Sequence, residues 1–248
     1  MINPSRIAIC LLGSFTMLHS LSVIGTAILA TALIPTAAVA SSCSNSPKAD
    51  TVNGSYIGEY WPKLRQDIFR GIPYAQPPIG HLRFAVPQSL NTSWTGSHDA
   101  KAFSPSCVGV GSNAVGGGTL EVSEDCLTLN VVRPTGVGSS DRLPVLIWIH
   151  GGGFSQGSSS MANYNMSWII DQSTRLGTPI IGVSINYRLG AFGWLWSEEL
   201  KRAGASNLGL RDQRMAFQWV QENIAAFGGD PGKGLYKHCL IHRVVHLS

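Results

Sequence analysis

Two nearly all-apolar runs, residues 143–149 (LPVLIWI) and 179–187 (PIIGVSINY), constrain the fold more than anything else in the chain. Runs of this length, rich in Ile and Val, read as strands buried on both faces, the way strands sit in parallel sheets covered by helices. Between them, residues 161–176 have helical character, with Trp168, Ile169 and Ile170 available to pack. A clearer helix is predicted over 209–226, where Leu210, Met215, Phe217, Trp219, Val220, Ile224 and Phe227 supply an apolar surface. Gly228-Gly229-Asp230-Pro231 then provides the turn chemistry that ends it. Short β-like pieces precede these elements, at 51–52, 55–58, 67–70 and 127–132, the last ended by Pro134. Strand, helix, strand, helix in this order predicts an α/β fold around a largely parallel sheet.

Composition narrows the function. Of the 248 residues 44% are hydrophobic and only 13% charged, which excludes a disordered chain. The formal net charge is +4 without a long basic block, so no nucleic-acid partner is expected. Residues 1–40 are unlike the rest. Arg6 is their one charged residue, an apolar stretch follows over 7–33, Pro35 interrupts it, and Ala38-Val39-Ala40 stands before Ser41. That order describes a secretory signal peptide cleaved after Ala40, and a secreted protein without a stable membrane anchor. The apolar stretch is long for a leader, which makes an uncleaved signal anchor the alternative. The sequons at Asn53, Asn91 and Asn165 fit export and are the candidate glycosylation sites. Cys10 leaves with the leader, and Cys43, Cys107, Cys126 and Cys239 allow three pairings. Cys107 and Cys126 bracket a Gly-rich stretch, 108–125, which favours that pair; closing such a loop contributes ~3 kcal/mol in the chain-entropy account.

The chemistry is concentrated in His150-Gly151-Gly152-Gly153-Phe154, directly after the first apolar run. Consecutive glycines leave main-chain N–H groups unobstructed, and two such donors aimed at a developing oxyanion each lower a transition state by roughly 2.7–4 kcal/mol. A glycine triplet after a buried strand is the oxyanion element of lipases and esterases. Gly116-Gly117-Gly118 follows no strand and reads as loop.

Further blocks agree with this reading. Phe69-Arg70-Gly71-Ile72-Pro73-Tyr74-Ala75-Gln76-Pro77-Pro78 with Leu82-Arg83-Phe84 resembles the opening of type-B carboxylesterases and lipases. Ser123-Glu124-Asp125-Cys126-Leu127-Thr128-Leu129-Asn130 resembles their cysteine-centred signature. Asn186-Tyr187-Arg188-Leu189-Gly190, Gly209-Leu210-Arg211-Asp212-Gln213-Arg214 and residues 223–231 match later blocks in the family's order. The resemblance covers 51–233 and looks nearest to fungal lipases and esterases. It implies an α/β-hydrolase fold, serine-dependent hydrolysis of small-molecule or lipid esters, and no metal or cofactor. It maps oxyanion donors onto Gly152 and Gly153, a disulfide onto Cys107–Cys126, and structural ion pairs onto Arg83–Glu124 and Arg188–Asp212.

The resemblance stops at Lys233. In the family a strand and the nucleophile elbow Gly-Glu-Ser-Ala-Gly come next, and residues 234–248 hold neither that pentapeptide nor the later acid and histidine. The expectation is therefore a hydrolase domain over 41–233, truncated before the nucleophile strand and elbow, with an unrelated tail such as a frameshift or retained intron would leave. Such a chain is expected to be inactive and to expose an apolar strand edge. A secreted pseudo-enzyme or interaction module is the alternative.

Two patterns in the chain tempt other readings. Gly153-Phe154-Ser155-Gln156-Gly157 satisfies G-x-S-x-G literally, but three glycines separate it from the strand, and an elbow joins strand directly to helix. His238, His242 and His246, with Cys239, would share one face of a helix and could ligate zinc, yet the segment is a weak helix former without a supporting carboxylate. No metal is assigned. In the fungal lipases of this family the disulfide-bounded segment carries the lid. Here it is short and Gly-rich, so an esterase acting on soluble or short-chain esters is expected, with a lipase as the alternative.

Overall fold

The computed structural model describes residues 46–110, 121–238 and 244–246. The leader expected over 1–40, Cys43, the 116–118 glycines, Cys239 and His242 lie outside them. In chain order the strands are β1 (Lys48–Asp50), β2 (Ser55–Ile57), β3 (Glu59–Trp61), β4 (Gln66–Pro73), β5 (Ser97–Asp99), β6 (Ser106–Cys107), β7 (Val122–Ser123), β8 (Thr128–Pro134), β9 (Leu143–Ile149), β10 (Ile181–Ile185), β11 (Gly229–His238) and β12 (Val244–His246). The helices are α1 (Ser167–Arg175), α2 (Gly190–Trp194), α3 (Glu198–Arg202) and α4 (Leu208–Asn223).

Seven strands form the main sheet, in the order β12-β11-β9-β10-β8-β4-β3. β9 runs parallel to both its neighbours, β10 and β11. Every other pairing in this sheet is antiparallel. The sheet is thus mixed, not largely parallel as the strand–helix alternation suggests. Parallel neighbours need a long crossover. In the main sheet β9 to β10, by way of α1, and β10 to β11, by way of α2 to α4, have helical ones; β3 and β4 are joined by a tight turn containing Arg65 at φ 52°.

Burial follows from which helix lies over which strand. β10 is buried at every position, as its apolar run demands. β9 alternates: Val145, Ile147 and Ile149 are buried in the principal core with Trp219, Val220, Ile224 and Phe227, while Leu146 and Trp148 are only half covered. The expectation that β9 is buried on both faces therefore holds for one face alone, because α1 lies over β8 and β10. Within α1, Ile170 is fully buried beside Met166, whereas Trp168 is 60% and Ile169 47% exposed. A 3.6-residue period puts Met166, Ile170 and Ser173 on one face and turns Trp168 and Ile169 outward, so only Ile170 packs as expected. α4 buries the stripe Leu208, Asp212, Ala216, Trp219, Val220 and Asn223, and leaves Leu210 outside it. Gly228, at φ 87°, reverses the chain after the short 3-10 turn Ile224–Phe227.

At the tail one expectation changes, that of a bare strand edge. β11 pairs with β9 from Gly234 opposite Val145 to His238 opposite Ile149, so the outer edge of β9 is not bare. β12 then adds antiparallel to β11, with His246 opposite Leu235. His238 and His246 stand on two neighbouring strands and not on one helix, and His242 lies outside the described residues. An ion pair that the sequence reading missed, Asp67–Arg133 at 3.1 Å, is buried between β4 and β8, with the guanidinium over the Phe69 ring.

Replacing Ile170 by Ala should cost about 2–5 kcal/mol of stability, whereas Trp168→Ala should stay within ~0.5 kcal/mol. Urea unfolding followed by circular dichroism measures both; equal losses would show that α1 packs by a different face.

Candidate active site

β9 ends at Ile149, and after His150 the glycine triplet begins as a loop. Gly152 (φ 120°) and Gly153 (φ 61°) both adopt positive φ, as does Phe154 at 61°. A Cβ on Gly152 would lie 2.1 Å from the Gln156 carbonyl oxygen, so the loop closes on itself only without a side chain there. The Gly152 carbonyl accepts from the N–H groups of Ser155 (3.1 Å) and Gln156 (3.2 Å). The Gly151 carbonyl faces His150, whose Nδ1 lies 3.0 Å away. Among the described residues no peptide bond is cis, and in a trans peptide the N–H points opposite the C=O. The carbonyls of Gly151 and Gly152 are turned into the loop, so the N–H groups of Gly152 and Gly153 are turned out of it. Neither donates to another of the described residues. Two unengaged main-chain donors at the end of a buried strand can receive an anion or a developing oxyanion.

The loop is held from several sides. Tyr187 donates its hydroxyl to the His150 carbonyl (2.9 Å), and its ring stacks on the imidazole at 4.5 Å. Asn186 accepts at Oδ1 from the Ser159 N–H (2.8 Å) and the Ser158 hydroxyl (3.3 Å). Gly190 N–H donates to the Phe154 carbonyl and Val110 N–H to the Ser155 carbonyl. Deeper in the sheet, Asn130 accepts from Gly71 N–H and donates to the Ser159 and Ser184 hydroxyls. The sequence reading assigned no role to Asn130, Asn186 or Tyr187. The available signal was an Asn and a Tyr directly after an all-apolar run, since buried polar groups must be hydrogen-bonded.

The remaining sites singled out in the sequence take these positions. Cys107 and Cys126 are joined by a disulfide, with Cα atoms 5.1 Å apart. Arg188 and Asp212 form a fully buried bidentate pair, from Nε at 2.8 Å and Nη2 at 2.7 Å. The same guanidinium donates through Nη1 to the carbonyls of Arg83 and Ala85. Burial pushes the Asp212 carboxyl up, against the hydrogen bonds and charge of Arg188 that pull it down. A carboxyl that binds its proton more tightly folded than unfolded takes stability away as pH rises from the ordinary carboxylate range through the raised value. The pair therefore serves geometry, tying the end of β10 to α4 and to residues 83–85. Arg83 and Glu124 meet at 2.5 Å, but with side chains 45% and 25% exposed they form a surface pair. Ser155 lies inside the glycine loop and donates its hydroxyl to the Gly152 carbonyl (3.1 Å). The chain after it runs through turns to the 3-10 segment Ala162–Tyr164, so no strand-to-helix elbow surrounds it. Asn91 is exposed; Asn53 donates to the Thr92 carbonyl, and Asn165 accepts from Ser167 N–H ahead of α1.

Comparison with known proteins places this geometry. A model of the carboxylesterase family matches residues 45–233. Lipase 5 of Diutina rugosa is 40% identical over 210 residues, an alignment that covers 77% of this chain and 38% of the relative. A secreted triacylglycerol lipase of Gibberella zeae is 42% identical over 200 residues, covering 73% and 33%. Among solved structures, Aspergillus niger EstA superposes with a TM-score of 0.68 at 37% identity, over 78% of this chain and 35% of that one. A thermophilic pNB esterase gives 0.69 at 35% identity, over 78% and 38%. The chain thus spans well under half the length of these relatives.

Arg188→Ala leaves a buried carboxylate without its partner and should cost about 3–5 kcal/mol. Arg83→Ala breaks a surface pair and should melt close to wild type. Thermal melts of the two variants side by side test the assignment, and a larger loss at Arg83 would reverse it.

Proposed function

Because the chain belongs to the carboxylesterase family, we propose that it carries the oxyanion-binding portion of a secreted carboxylic ester hydrolase. The observation that carries this reading is the pair of outward N–H groups at Gly152 and Gly153, in the loop that leaves β9. In ester hydrolysis the carbonyl oxygen gains negative charge as the nucleophile adds, and fixed donors stabilise that charge without reorganising. Gly152 and Gly153 are those donors in this reading.

A nucleophile and a base complete the reaction. Residues 234–248 hold no Gly-x-Ser-x-Gly, and Ser155 is bonded within the oxyanion loop itself. The 248-residue chain alone is therefore inactive towards esters in this proposal. The substrates of the intact enzyme are soluble or short-chain esters, since the disulfide pairs cysteines only 19 positions apart and leaves little apolar surface for a lid. Export through a cleaved leader is supported by two secreted lipases among the relatives, and glycans at Asn53, Asn91 and Asn165 accompany it.

The purified chain should hydrolyse a nitrophenyl butyrate no faster than buffer. Turnover abolished by Ser155→Ala would overturn the reading and make that serine the nucleophile. When residues 41–233 are completed with the downstream part of a family member, the rate on tributyrin should rise smoothly through its solubility limit. A sharp jump on emulsion formation would identify a lidded lipase instead.

A further inference from the structure

We propose that Asn186 and Tyr187 are positioning residues of the glycine loop, gripping it at both ends so that Gly152 and Gly153 keep their N–H groups turned outward; this rests on the oxyanion reading of those glycines. The loop needs such a grip. Its glycine-rich backbone has many conformations to lose, and the positive φ values at 152–154 persist only where the surroundings over-determine them.

The two grips come from one place. β10 lies parallel to β9 with Ile185 opposite Ile149, so Asn186 and His150 leave the sheet as neighbours. Tyr187 fixes the first residue of the loop by its hydroxyl bond to the His150 carbonyl and by the stacked rings. Asn186 fixes the far end through the Ser159 N–H and the Ser158 hydroxyl. Between these points the loop touches two further main-chain donors, Val110 and Gly190.

Asn186 is itself immobile. Its N–H donates to the Thr128 carbonyl, its carbonyl accepts from the Tyr74 hydroxyl (2.8 Å), and its Nδ2 donates to the Pro105 carbonyl (3.2 Å). Asn186, Tyr187 and Tyr74 are each at most 1% exposed, so water cannot replace these bonds. Burial pushes the Tyr74 phenol well above its ordinary value, with the Asp212 charge adding to the shift, so it remains a neutral donor. The sheet therefore transmits its rigidity to the loop through two adjacent side chains.

The test is amide hydrogen exchange with ¹⁵N spectra on the full 248-residue chain, which requires no ester turnover and so stands or falls separately from the catalytic reading. Tyr187→Phe keeps the ring stack and removes only the hydroxyl. Exchange at residues 151–159 should accelerate at least tenfold, with shifted Gly152 and Gly153 resonances, while α4 amides change less than twofold. Uniform acceleration across the loop and α4, or no change in the loop, would overturn the proposal, since either assigns Tyr187 a general packing role. If Tyr187→Phe does not fold, wild-type exchange in rising denaturant decides. Residues 151–159 should then open in one unit with 186–188, and opening of the loop ahead of them would overturn it.

Discussion

Ile149 and Ile185 face each other across the parallel β9–β10 ladder, so the residues that follow them leave the sheet side by side. From that register come the stacking of Tyr187 on His150, the reach of Asn186 to Ser159, and the position of Arg188 between α4 and residues 83–85. A shift of one residue would turn every side chain of β10 to the other face and dismantle all three contacts at once. Its fully buried pattern makes such a slip costly, because Ile181, Val183 and Ile185 fill the principal core. Apolar packing in the middle of the sheet thus fixes polar geometry at its end.

The two faces of the sheet are finished to different degrees. On the side of α4, Phe69, Trp219 and Phe227 pack edge to face or tilted around fully buried Ile147 and Ile224. On the side of α1, Leu146 and Trp148 are half covered, and the buried atoms Trp148 Nε1, Ser167 Oγ and Gln66 Oε1 find no partner among the described residues. An unpaired buried donor or acceptor costs about 1–3 kcal/mol, and α4 carries one too, at Gln213 Nε2, so the two faces differ in their apolar packing and not in their polar satisfaction.

What the sequence made legible follows the same division. The bounds of β9 and the body of α4 could be read because each depends on a local pattern, an apolar run or a 3.6-residue stripe. The direction of β8, β4 and β3 could not, because an apolar run looks alike whichever way its neighbour runs. The misreading of Trp168 and Ile169 has a related cause: composition shows that α1 has apolar residues, and only the position of β8 and β10 decides which of them are covered. At the site, the His-Gly-Gly-Gly segment announced itself, since its chemistry is carried by the absence of side chains. The contacts of Asn130, Asn186 and Tyr187 join residues distant in sequence, and only the folded chain displays them. Likewise, Arg83–Glu124 and Arg188–Asp212 look equivalent as pairs of letters and differ entirely in burial.

The neighbouring glycines of the loop answer to different demands. At position 152 an L side chain is barred both by the backbone angle and by the Gln156 carbonyl, whereas at 153 its Cβ would meet only the Ser155 hydroxyl, 3.9 Å away. Gly153 is therefore glycine for reasons of handedness, not room. A mirror-image amino acid, for which φ near +60° is the relaxed state, would suit that backbone. Chirality, more than size, is what the chain gives up at position 153.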